Sequence, residues 1–275
     1  MASPTLFVER IRRSVLKIVS GLLSLAIVGC SSVPQSTVQE LAPSGILRVA
    51  INFGNPILAS QDAKTGSLSG VSVDLSNELG RRISKPVQLV PFASAARAVD
   101  AIKSSQVDVA FVAIDPVRGA DIRYSAAYVV IEGAYLVRQD SPVRHNSDVD
   151  RPGVRVAVGA GSAYDLFLQR ELKAASLVRA PTSPAVVDFF LAKDLEVAAG
   201  VRQQLEADVR RVPGLRLLEG RFMVIQQAIG VPKSREQAAN YLRGFVEEMK
   251  ASGFVAQALQ RHKIEGADVA PPQRP

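Results

Sequence analysis

Read from residue 46, apolar positions follow two alternating periods. "ILRVAI" (46–51), "VQLV" (87–90), "VDVAFVAI" (107–114), "VRVAV" (154–158) and "LEVAAG" (195–200) are short apolar runs of strand length. Between them the period lengthens to that of a helix. "DLSNELGRRI" (74–83) places Leu75, Leu79 and Ile83 on one face behind a capping Asp74, and "SAARAVDAIKS" (94–104) opens on Ser94. "SAYDLFLQREL" (162–172), "SPAVVDFFLAK" (183–193), "RQQLEADVRR" (202–211) and "REQAANYLRGFVEEMKASG" (235–253) predict four more helices. The last carries Tyr241, Leu242, Phe245 and Met249 as its apolar stripe.

Strand and helix in alternation predict an α/β fold with mainly parallel sheets. The continuous apolar run at 107–114 predicts a strand buried on both faces. Two stretches break the rhythm. "YVVIEGAYLVRQD" (128–140) and "MVIQQAIGVPK" (223–233) are long, extended and have no helix between their halves. Strands of that length suit a crossing between two lobes. The expected boundaries are 44–131 with 228–265 for the first lobe and 132–227 for the second, with 266–275 as a frayed tail.

The first 29 residues are different. Arg10, Arg12, Arg13 and Lys17 against a single Glu9 precede "IVSGLLSLAIVG", an apolar stretch too short to span a bilayer. Ile27-Val28-Gly29-Cys30 resembles the lipobox of bacterial lipoproteins, and Cys30 is the one cysteine of the chain. The resemblance implies a signal peptide over 1–29 and acylation of Cys30. Residues 30–43 would be a polar tether, and the mature protein a periplasmic lipoprotein held on a bilayer by acyl chains alone.

Composition narrows the chemistry. Of 275 residues 47% are hydrophobic and 21% charged, as in ordinary globular proteins. The net charge of +7 is scattered among acids, without a basic run interleaved with aromatics, so nucleic acid is not an expected partner. One Cys excludes an intrachain disulfide, and two distant His residues argue against a histidine-based metal site. Gly159 and Gly161 do not begin a dinucleotide fingerprint, because position 164 is Tyr. No cofactor is expected.

The candidate site begins at "VAFVAIDPVRGADIRYS" (109–125). Asp115 as N-cap and Pro116 at the first helical position predict a helix start, with Arg118 in the first turn. A cation there opposes the helix dipole. Two readings account for it: Arg118 lies on the surface or pairs with Asp115, or it faces an anion that the helix start also favours. Ser162 to Asp165, including Ala163, and Val201 to Gln204 are two further helix starts. Ser162 with Asp165 also reads as an ordinary capping box.

The ordered segments "GILRVAINFGNP", "GSLSGVSVDLSNELGRR", "SSQVDVAFVAIDPVR", "YLVRQDS", "VRVAVGAGSAYDLFL" and "AIGVPKSREQAANYLRGFVEEMKASG" resemble the extracellular solute-binding proteins of ABC importers, family 3 type. That family mostly carries amino acids and related small polar solutes. The resemblance implies a two-lobe periplasmic-binding-protein-like (type II) fold with a two-strand hinge, closing on a small anionic or zwitterionic solute, and importer membrane subunits as partners. It implies that Arg118 binds a ligand carboxylate. The chain also departs from the family. Asn55 stands before Pro56 where an aromatic is common. "AFVA" (110–113) leaves only backbone N–H donors at Ala113, Asp115 replaces a Thr, and Val201 followed by Arg202 stands where amino-acid binders often have an Asp. Arg202 reads either as surface or as a second cation facing the ligand. Phe53 and Phe111 read as core or as ligand packing. Two rival classes share the fold: a dehydratase-like enzyme, with Asp115 and Glu196 as its only candidate acids or bases, and a ligand sensor for a membrane receptor.

Overall fold

A computed structural model of the chain describes residues 33–273. The predicted signal peptide and Cys30 lie outside the described residues. The elements run α1 (Gln35–Leu41), β1 (Leu47–Asn52), β2 (Ser60–Gln61), β3 (Leu68–Ser69), α2 (Val71–Arg82), β4 (Val87–Phe92), α3 (Ala95–Lys103), β5 (Val109–Ala113), and β6 (Ile122–Arg138). They continue with β7 (Arg155–Gly159), α4 (Ala163–Glu171), β8 (Ser176–Ala180), α5 (Val186–Ala192), β9 (Val197–Val201), α6 (Arg202–Arg211), and β10 (Leu215–Leu217). The chain closes with β11 (Met223–Pro232), α7 (Glu236–Ala251), α8 (Phe254–Arg261) and β12 (Asp268–Val269).

One sheet carries the architecture, in the order β4-β1-β5-β11-β6-β9-β7-β8. β1 pairs in parallel with β4 and β5, and β7 pairs in parallel with β8 and β9. These are the strands of two α/β lobes. Between them run β6 and β11, antiparallel to each other. β11 joins the first lobe by pairing Gln227–Gly230 with Ala110–Ala113 of β5. β6 joins the second by pairing Gly133–Leu136 with Ala198–Val201 of β9. The two long extended stretches of the sequence are therefore the strands that cross. Their register shifts at Gln227/Ala228 and Ala228/Gly230, next to the crossing, and a bulge of this kind bends a strand and increases its twist.

The core follows the predicted pattern. All five residues of β5 are buried, as a strand covered on both faces requires. Leu242, Phe245 and Met249 of α7 are buried and Tyr241 is half-buried. Phe111 is core: it meets Tyr128 edge-on, with ring centroids 5.7 Å apart.

Several expectations are corrected. Residues 35–41 of the expected polar tether form α1, whose Val38 and Leu41 are buried and which lies against α7. The Glu40 carboxylate accepts from the Ala238 N–H at 2.8 Å, and its carbonyl accepts from Arg235 at 2.8 Å. The expected frayed tail is in part a strand: β12 pairs with Val129 and Val130 of β6, and Ala270 is buried. Asp74 does not cap α2, which starts three residues earlier after Gly70; its carboxylate instead binds Arg261 and His262 of α8. Ser183 and Pro184 precede α5 without joining it. Asp115-Pro116 opens only a 3-10 turn, Arg118–Ala120, because β6 begins at Ile122 and leaves no room for a longer helix.

Candidate functional site

The crevice between the lobes is lined from both sides. The first lobe gives the loop after β1 (Asn52, Gly54, Asn55, Pro56), Ala95 at the start of α3, Ala113 at the end of β5, and Arg118. The second gives Ser162, Ala163 and Tyr164, then Ser183 and Val186, then Gly200, Val201, Gln204 and Leu205. The crossing strand β11 adds Ile225 and Gln227. The void is about 590 Å³ counted out to its open mouth. It lies at the C-terminal ends of the parallel strands, where the chain turns into helices and loops.

Among the described residues, Arg118 is the only charged one in this lining. It is 5% exposed. Nη1 donates to the Ala113 carbonyl at 3.1 Å and Nη2 to the Gly161 carbonyl at 2.7 Å, so the guanidinium touches both lobes. Neither partner is charged. A guanidinium has five N–H donors, so three remain after these two bonds. Burial pushes its pKa below the ordinary arginine range, as it does for any cation taken from water. The neighbouring Asp115 carboxylate favours its charge through space but makes no direct ion pair with it. Asp115 Oδ1 accepts from the Val117 N–H at 2.8 Å, and Oδ2 is held by Arg170 Nη1 at 3.0 Å. One carboxylate thus faces two guanidinium groups, and the positive charge left over is the one at the cleft.

Helix starts add to that field. α4 begins at the cleft, with Ser162 Oγ accepting from the Asp165 N–H at 3.1 Å. Asp165 reaches back to the Gly161 N–H at 2.8 Å and is held by Arg179 at 3.0 Å. Ser162 thus caps α4, but the reciprocal bond of a capping box is not made: the Ser162 N–H donates to the Gly159 carbonyl, and Asp165 Oδ1 is buried without a partner. α6 begins at Val201, which offers no side-chain cap, so its first-turn N–H groups are left for other partners. The starts of α3 and α5, at Ala95 and Val186, also line the cleft.

Two buried polar atoms on opposite walls have no hydrogen-bond partner: Asn55 Oδ1 and the Tyr164 hydroxyl. Tyr164 is 2% exposed, and burial raises its pKa. An orphaned buried polar group costs about 1–3 kcal/mol, and a ligand group meeting it would recover that. Tyr164 fits because Gly159 carries no side chain: a Cβ there would lie 2.7 Å from both the Tyr164 hydroxyl and Ser183 Oγ.

Of the residues expected at the site, Asn55, Ala113, Arg118, Ser162 and Ala163 line the cleft. Phe53, Asp115 and Arg202 do not. Phe53 packs outside it, its N–H donating to the Phe92 carbonyl. Arg202 stands at a helix start beside the cleft, but its guanidinium turns to Glu132, at 2.8 Å, and to the Gly220 carbonyl. The second cation facing a ligand is thus absent from that position. Glu196 is held by Arg155, and His145 caps a short turn at 146–148. Tyr164, Ser183, Gln204 and Gln227 were not anticipated. Tyr164 and Gln204 fall in the first turns of helices already placed at the cleft, and that position was the available signal. Among the described residues no group of three or more His, Cys, Asp or Glu could hold a metal ion, and no helix is long and apolar enough to cross a membrane.

Solved structures of the same fold include the L-cysteine solute receptor of Neisseria gonorrhoeae, with a TM-score of 0.72 and 18% identity over 83% of this chain and 94% of that one. A mutant of ArgBP from T. maritima gives 0.70 and 21%, over 83% and 100%. The ancestral amino-acid-binding protein AncCDT-1, described as a precursor of cyclohexadienyl dehydratase, gives 0.68 and 18%, over 82% and 98%. Among curated proteins no match was found. The family model for bacterial extracellular solute-binding proteins, family 3, matches residues 47–264, which takes in both lobes and every residue of the cleft, and the chain belongs to that family.

Proposed function

We propose that the chain is the extracytoplasmic solute-binding subunit of an ABC importer. It takes a small carboxylate-bearing solute, an amino acid or a related organic acid, in the interlobe cleft. The lobes, 44–131 with 228–265 and 132–227, close on the solute by bending at β6 and β11, and acylated Cys30 holds the protein on a bacterial membrane facing the periplasm. The observation that carries this reading is Arg118: a buried guanidinium in the cleft, bonded to two neutral carbonyls, with donors to spare and no carboxylate of its own. A buried charge without a counterion is costly, and a ligand carboxylate matches the guanidinium fork. Structural relatives described as binding cysteine and arginine support a solute of this size.

Binding without turnover is the favoured class. The described lining contains no Asp, Glu, His or Lys, so it offers no ordinary general acid or base. The relative described as a dehydratase precursor makes an enzyme the rival to test. Thermal-shift and scattering measurements across a panel of small carboxylates, with product analysis of the same mixtures, separate the two. Stabilisation and compaction without turnover are expected. Turnover of a probe would make the chain an enzyme, and the absence of both effects would remove the transport reading.

A further inference from the structure

We infer that the preferred solute carries a carboxylate but no ammonium group: a 2-hydroxy or 2-oxo acid in place of the corresponding amino acid. This rests on the reading above, that the cleft takes a small carboxylate.

The inference follows from charge. Among the described residues, Arg118 is the single charged side chain of the lining. A carboxylate held by its free donors places any 2-substituent two bonds away, inside the same enclosed cleft. An ammonium there would sit close to a buried guanidinium with no anion beside it except its own carboxylate. Asp115 and Asp165, the acidic residues beside the cleft's turns, do not line it. Asp115 is turned out of the cleft onto Arg170 and the Val117 N–H, and it is 3% exposed. Asp165 Oδ2 is bound to the Gly161 N–H and Arg179, and the residue, with Oδ1 unpartnered, is buried outside the cleft lining. Val201, at the end of β9, is apolar and lines the cleft, and Arg202 after it is paired with Glu132. In a low-dielectric site like charges a few ångströms apart repel strongly, and a buried ammonium needs a counterion.

The neutral groups point the same way. Asn55 Oδ1 lacks a donor, and the Tyr164 hydroxyl lacks any partner. A ligand hydroxyl could donate to Asn55 Oδ1 without adding charge beside Arg118, and a hydroxyl or 2-oxo oxygen could accept from Tyr164.

The test uses matched probes in calorimetry: alanine with lactate and pyruvate, serine with glycerate, and leucine with its 2-hydroxy and 2-oxo counterparts. In each set that binds, the oxygen compound should bind at least about tenfold more tightly, a difference of about 1.4 kcal/mol. Val201→Asp should raise amino-acid affinity and lower that of the oxygen acids. Asp is a favoured N-cap, so α6 should survive the change. An amino acid binding wild type as tightly as its oxygen counterpart overturns the inference and leaves the carboxylate site standing. So does a folded Val201→Asp protein with the wild-type preference. If no carboxylate probe gives binding that Arg118→Ala weakens, the carboxylate site itself falls, and the inference with it.

Discussion

Arg118 Nη2 donates to the Gly161 carbonyl at 2.7 Å, tying a residue that follows β5 in the first lobe to one that precedes α4 in the second. The group placed to hold a ligand anion is thus also a bond across the cleft. Arg118→Ala removes both. Loss of one partner of a desolvated charge pair costs about 2–5 kcal/mol, so affinity for a carboxylate probe should fall at least about twentyfold in calorimetry. Arg118→Lys should recover part of it, because an ammonium cannot form the planar fork. Unchanged affinity in Arg118→Ala would remove the residue from the site.

Gly161 should discriminate between folding and closure. Its φ is +65°, and a Cβ there would lie 2.6 Å from the Ala96 Cβ of α3, on the other lobe. The strained φ costs roughly 1–2 kcal/mol. The clash with Ala96 is relieved if the lobes part. Gly161→Ala should therefore lower ligand affinity tenfold or more, while the melting temperature falls by only a few degrees. Adding Ala96→Gly should restore part of the affinity. A double variant no better than the single one would rule out the contact as the cause.

Arg170 acts at one remove. Its ion pair with buried Asp115 spans the lobes and leaves Arg118 only the through-space field of that carboxylate. In Arg170→Ala the Asp115 carboxylate should turn its field on Arg118 and compete with the ligand anion. Affinity for a carboxylate probe should drop severalfold, although Arg170 does not line the cleft. Arg170→Lys should keep most of it. Equal binding by wild type and Arg170→Ala, measured at low and at moderate salt, would dismiss the competition.

Acid should loosen the first lobe through Glu78. Hydrogen bonds from Arg81, then Arg82, hold its carboxyl at a pKa of about 2, and Arg82 also binds Glu248 of α7. A depressed carboxyl pKa contributes stability above the ordinary value, near 4.5, and loses it as pH falls toward 2. Urea unfolding of wild type and Glu78→Gln should differ most near neutral pH, with the difference shrinking below about pH 4.5 and converging only as pH falls to about 2. A difference independent of pH would contradict the assignment.

Cys30→Ser should abolish incorporation of labelled fatty acid and release the protein from the membrane fraction of expressing cells. Equal labelling of the variant would remove the lipoprotein proposal.

Sequence periodicity resolved what lies within one element and lost what depends on a distant one. α6 spans 202–211 as predicted, because its ends are marked locally and its apolar face repeats. α1 was hidden: Val38 and Leu41 are too few for a stripe, and their burial comes from α7, about 200 residues away. β12 is two residues long and exists only by pairing with β6. The turn left Arg118 between surface and cleft, and only the family resemblance implied the cleft; its bond to Gly161 was not legible, since no local rule relates the two lobes. Arg202 shows the limit of a helix start as a signal. The start fixes where the backbone lies, and Glu132 on a crossing strand decides where the side chain goes.

The docking of α1 against α7 also sets a leash. Only residues 31–34 separate Cys30 from the first helical residue, Gln35. The five Cα steps from Cys30 to Gln35 reach at most about 18 Å, a fraction of the roughly 40–45 Å thickness of a bilayer with its headgroups. With Cys30 acylated as proposed, the protein could not range through the compartment to collect solute. It would skim the membrane surface with its first lobe nearest the lipid. Its encounter with a transporter would then be a two-dimensional search, and solute would have to come to it by diffusion.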